Sequence, residues 1–60
     1  MSISSVKPVK FILNSIEDTN DFCFDFMGQV TQVDETTVLC RSLASIEAAK
    51  RIGTRLPEDN

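Results

Sequence analysis

Apolar and polar positions alternate along the first half of this 60-residue chain and change period in the second. From Val9 the alternation sets Val9, Phe11 and Leu13 on one side and Lys10, Ile12 and Asn14 on the other, with Ile16 extending the second side. That pattern predicts a strand. The polar run 17–21 then reads as a turn. Beyond it, Phe22, Phe24 and Phe26 alternate with Cys23, Asp25 and Met27, the period that sends successive side chains to opposite faces of a sheet. Residues 22–33 are accordingly expected to form the central strand, with Gly28 as a bulge or a close backbone approach.

Residues 34–36 form a second turn, which places Val30 opposite Cys40, and residues 37–41 are β-branched and apolar enough for a third strand. After Arg41 the period becomes helical. Ser45 is the expected N-cap, Glu47 falls in the first turn, and Ile46, Ala49, Ile52 and Leu56 form an apolar stripe that Pro57 ends.

The predicted fold is α+β: a three-stranded antiparallel β-meander followed by one C-terminal amphipathic helix packed on one sheet face, β-β-β-α. Residues 1–60 make one domain, with a flexible N-terminus over 1–7, where Ile3 and Val6 offer an alternative edge strand, and a short acidic tail over 57–60. In element order alone, residues 9–56 resemble the three-stranded-sheet-plus-helix modules at the N-termini of some recombinases.

A helix covers one sheet face. Phe11, Leu13, Phe22, Phe24, Phe26, Val30 and Val38 form the natural partner for its stripe. Ile12, Ile16, Cys23, Met27 and Leu39 are then left on the second face among Lys10, Asn14, Asp25 and Arg41, and an apolar patch with a polar rim is the expected partner-binding surface. A chain of this size rarely gains more than roughly 3–5 kcal/mol from its own core, so a homodimer through that face is expected.

Chemistry narrows the reading further. With no His, and only two cysteines, no four-ligand zinc site can be completed, and neither a metal nor a cofactor is expected. Glu17, Asp18 and Asp21 lack the spacing and glycine of a calcium loop. General acid–base work falls most often to His, and no nucleophile motif surrounds Ser42 or Ser45, so the chain is expected not to be an enzyme. On the strand register above, Cys23 and Cys40 lie about 23 Å apart, too far for a disulfide.

Nine acidic against six basic residues give a net charge of −3, which opposes binding to phosphate backbones. Lys50, Arg51 and Arg55 are the one basic cluster and the alternative nucleic-acid contact. No apolar run is long enough to cross a membrane, and no secretory signal is apparent, so a cytoplasmic protein is expected. The functional expectation is a small interaction module, similar in size and character to phage-encoded inhibitors and adaptors that occupy a surface on a larger protein.

Overall fold

Ser15 opens a helix where a turn and then a strand are expected. The computed structural model describes residues 7–57. Ser15 is extended, with φ −153° and ψ 164°, and its hydroxyl oxygen accepts a hydrogen bond from the backbone N–H of Asp18 at 3.1 Å. That satisfies one of the N–H groups a helix start leaves unpaired, and Glu17 and Asp18 in the first turn suit the positive end of the helix dipole. The helix that follows, α1, runs Ile16–Asp25.

The period-two alternation of the phenylalanines is therefore not the one that governs burial. Thr19, Phe22, Cys23 and Phe26, three and four residues apart, face inward, and the rings of Phe22 and Phe26 stack one turn apart with centroids at 4.9 Å. At about 100° per residue, Phe24 lies roughly 200° around the helix from Phe22 and points to solvent. Gly28, at φ 88°, is in the left-handed region that glycine enters freely and turns the chain out of α1.

Strands β1 (Val9–Leu13), β2 (Val30–Gln32) and β3 (Thr37–Cys40) carry three parts of the sheet. The β2–β3 hairpin has the predicted register, Val30 opposite Cys40. Asp34 builds its turn, accepting on Oδ1 the backbone N–H groups of Thr36 at 3.1 Å and Thr37 at 2.9 Å.

The second helix, α2 (Leu43–Ile52), is capped three residues earlier than expected. Ser42 is the N-cap: its Oγ accepts from Ser45 N at 3.1 Å, while Ser45 Oγ accepts from Ser42 N at 3.2 Å, a reciprocal capping box. Ser42 also donates to Oε1 of Gln29 at 2.7 Å, tying the cap to the entry of β2. The helix stops at Ile52 rather than reaching Leu56, because the next residue, Gly53, starts strand β4 (Gly53–Arg55) without a connecting loop. Asn14 Nδ2 donates to the Ile52 carbonyl at 3.2 Å, satisfying one of the acceptors the helix end exposes.

The architecture thus differs from the expected three strands and one helix. It is an α+β fold with a four-stranded antiparallel sheet in the order β2-β3-β1-β4 and two helices. β1 and β2 both pair antiparallel to β3 or lie beside it, so they run parallel with β3 between them; β3 and β4 run parallel with β1 between them. α1 and α2 make these two crossovers, giving the split β-α-β-β-α-β arrangement of ferredoxin-like topology. The resemblance in element order to recombinase modules falls with the meander.

Both helices cover the same sheet face. Phe11 and Leu13 of β1 and Val38 and Cys40 of β3 share one cluster with Phe22 of α1 and with Ile46 and Ala49 of α2. The other face carries no helix. The expectations for residues 1–6 and 58–60, including the edge strand through Ile3 and Val6, lie outside the described residues.

Candidate functional site

The five residues expected on one apolar face do not share a surface. Ile12 and Leu39 lie on the open side of the sheet, opposite the cluster that Phe11 and Val38 join. Ile16 and Cys23 belong to α1 on the far side, Ile16 on its half-exposed flank and Cys23 packed against the core. Met27 follows α1 and is 71% exposed. The period error in residues 22–27 accounts for the misplacement, since it assigned helical positions to strand faces.

The open face is built from cross-strand pairs. Leu39 pairs with Lys10, and Leu56 N donates to the Lys10 carbonyl at 2.9 Å, continuing the β1–β4 ladder one step beyond its last paired residues. Leu39, Lys10 and Leu56 therefore form a row across β3, β1 and the end of β4. Ile12 lies in the next row between Thr37 and Thr54. Arg41 donates to Thr31 Oγ1 at 3.2 Å and to the Gly28 carbonyl at 3.3 Å. No aromatic residue stands at these positions, so the face lacks the rings on which sheet-type RNA binders stack bases.

A cavity of about 350 Å³ lies where β1 begins and β4 ends, lined by Pro8, Val9, Lys10, Leu39, Arg55, Leu56 and Pro57. It joins residues that only the register of β4 brings together. Reading residues 53–55 as helix hid it.

The outer side of α1 has a different character. Glu17, Asp21 and Phe24, at positions 0, 4 and 7 of the helix period, stand on its crest, flanked by Asp18 and Asp25. Phe24 is 73% exposed, and Met27 N donates back to the Phe24 carbonyl at 3.4 Å, so these two large apolar side chains sit on consecutive steps of the same helix end. No basic residue lies in the last turn of α1. Between α1 and α2 runs a groove of about 450 Å³, with Phe22, Phe26, Ala48 and Ile52 among its apolar lining and Asp25, Glu47 and Arg51 among its charges.

The expected basic cluster is divided. Lys50 and Arg51 stand in the last turn of α2, where cations complement the negative end of the dipole, and Lys50 Nζ is 3.2 Å from Glu47 Oε2 in an exposed pair. Arg55 is on β4.

Both thiols are free and border one core rather than lying at opposite ends of a strand. Burial pushes the Cys23 thiol up; burial pushes Cys40 up as well, opposed by a hydrogen bond with Ser45 and reinforced by the charge of Cys23. Among the described residues no group of three or more His, Cys, Asp or Glu side chains is placed to hold a metal ion, and no helix is long and apolar enough to cross a membrane. Comparison with protein-family models, curated proteins and solved structures finds no match.

Proposed function

We propose that this chain is a non-enzymatic protein-interaction module, an adaptor or inhibitor that docks the outer side of α1 on a larger protein. The observation that carries the reading is Phe24, 73% exposed on the crest of a helix whose other outward residues include Glu17, Asp18, Asp21 and Asp25. A domain this small has little apolar surface to spare for its core, and it places one of its four phenylalanines outside. An aromatic anchor ringed by carboxylates complements an apolar pocket with a basic rim.

The partner is a different protein. Two copies of α1 brought face to face would juxtapose their carboxylates, which disfavours a homodimer through this surface. Nucleic acid is the weaker alternative: the acidic helix shares a layer with Lys50 and Arg51, and Glu47 already engages Lys50.

The test compares what the immobilised full chain retains from its native host with what Phe24→Ser and Asp21→Lys retain. A partner held by the wild type, lost by Phe24→Ser with unchanged circular dichroism, and weakened by Asp21→Lys and by salt is the expected result. Identical retention by wild type and Phe24→Ser would remove α1 from the account.

A further inference from the structure

We infer that the groove between α1 and α2 receives a helix of the partner protein, apolar on the side laid between the two helices and basic along its flanks. The inference rests on the docking of α1 proposed above and names the element that meets it.

The groove has an apolar floor and one low wall. Ala44, Ala48 and Ile52 recur every four residues along α2 and face Phe22 and Phe26 across a space of about 450 Å³. Small side chains at 44 and 48 leave that space open, and Ile52 at its end is 42% exposed. The stretch from Ala44 to Ile52 rises about 12 Å, roughly two helical turns, which matches a helix with anchors three, four and seven residues apart. A helix fits because it satisfies its own backbone hydrogen bonds. An extended segment would bring unpaired N–H and C=O groups between two helices, where no strand edge is present to pair them.

Charge sets the rest of the occupant's chemistry. Asp18, Asp21 and Asp25 stand at i, i+3 and i+7 on one flank of α1, and Asp25 lines the groove from that side. Glu47 lines it from α2, and Arg51 is the one cation among the described lining residues. The three aspartates are exposed, and no ion pair engages them among the described residues. Lysine or arginine on the flanks of the incoming helix supplies their partners, whereas an acidic helix meets like charge along the whole α1 bank. A second copy offers no such helix, since its α1 is acidic and its α2 commits Ile46 and Ala49 to its own core.

The experiment titrates the isotopically labelled full chain with a synthetic amphipathic helical peptide of leucine and lysine, and with its leucine–glutamate counterpart, following backbone amide shifts. Saturable shifts at Phe26, Ala44, Ala48 and Ile52 are expected with the lysine peptide and none with the glutamate one. Two variants keep the fold: Ala44 is exposed and glutamine suits a helix, while Asp25→Lys places a cation in the last turn of α1, where the dipole favours one. Ala44→Gln fills the groove without changing its charge and should weaken the lysine peptide about tenfold, and Asp25→Lys should weaken it severalfold. Phe24 lies outside the groove, so Phe24→Ser should leave the peptide affinity unchanged. Equal affinity for the two peptides, saturable shifts mapped to the open sheet face, or indifference to Ala44→Gln would overturn the assignment. In retention from the native host, Ala44→Gln should release the same partner that Phe24→Ser releases. A partner that Ala44→Gln keeps and Phe24→Ser loses overturns the helix in the groove and leaves the docking of α1 standing.

Discussion

Gly53 meets Leu13 across the β1–β4 ladder with no room for a side chain: a Cβ on Gly53 would strike Cδ2 of Leu13 and lie 2.6 Å from the carbonyl oxygen of Ile12. The backbone at Gly53 is extended, with φ −143° and ψ −170°, so space rather than dihedral angle demands glycine here. Gly53→Ala should cost about 1–3 kcal/mol in chemical denaturation, because neither the Ile12 backbone nor the buried Leu13 can yield freely. At this chain length that is a large share of the total.

Phe22→Ala and Phe24→Ala distinguish the helix from the strand directly. On a strand both phenylalanines would share a face and both truncations would damage the core. In α1, Phe22 is buried and Phe24 exposed, so Phe22→Ala should cost about 3–5 kcal/mol and Phe24→Ala should stay within about 0.5 kcal/mol of wild type. Thermal melts of the two variants read the difference.

Hydrogen bonds from Thr37 and Thr36, together with the more distant Lys10 charge, hold the Asp34 carboxyl below its ordinary value. Its folded pKa is depressed, so the stability it contributes is fully present above the unfolded carboxylate value and is lost as pH falls through the folded one. Asp34→Asn keeps an acceptor oxygen but loses the charge. The gap in melting temperature between wild type and Asp34→Asn should therefore be open at neutral pH and close on acidification.

Cys40 is wholly buried and Cys23 partly so, with both thiols pushed up. Reagents that need the thiolate should label Cys23 slowly at neutral pH, and Cys40 only when the domain opens. Mass spectrometry after timed alkylation should show one label well before two. Simultaneous rapid labelling of both would contradict the burial of Cys40.

Strand β1, the β2–β3 hairpin register and the inward faces of Ile46 and Ala49 were legible because each follows one unambiguous period. Residues 16–26 carry two periods at once. Phe22, Phe24 and Phe26 alternate, but Thr19, Phe22, Cys23 and Phe26 also recur at helical spacing, and Ser15 with Asp18 three residues on is a helix-start signal. The alternation was persuasive only because Phe24 is aromatic, and Phe24 is the one of the three that faces solvent. β4 was hidden for a different reason: Leu56 continues the α2 stripe numerically, and the contact that keeps residues 53–55 out of the helix, Gly53 against Leu13, is forty residues long in sequence. The surfaces followed these errors, so of the expected partner-binding set only Ile12 and Leu39 remained together.

The pairing of β4 with β1 also makes the first and last of the described strands depend on each other. β1 is made before every other element and β4 after them, yet they are neighbours in the sheet. Without residues 53–55 in place, one edge of β1 has no hydrogen-bonding partner. A chain with β4 detached thus carries an open template for intermolecular pairing. Detachment of β4, a three-residue strand at the sheet edge, therefore exposes β1 to strand exchange between copies and to aggregation.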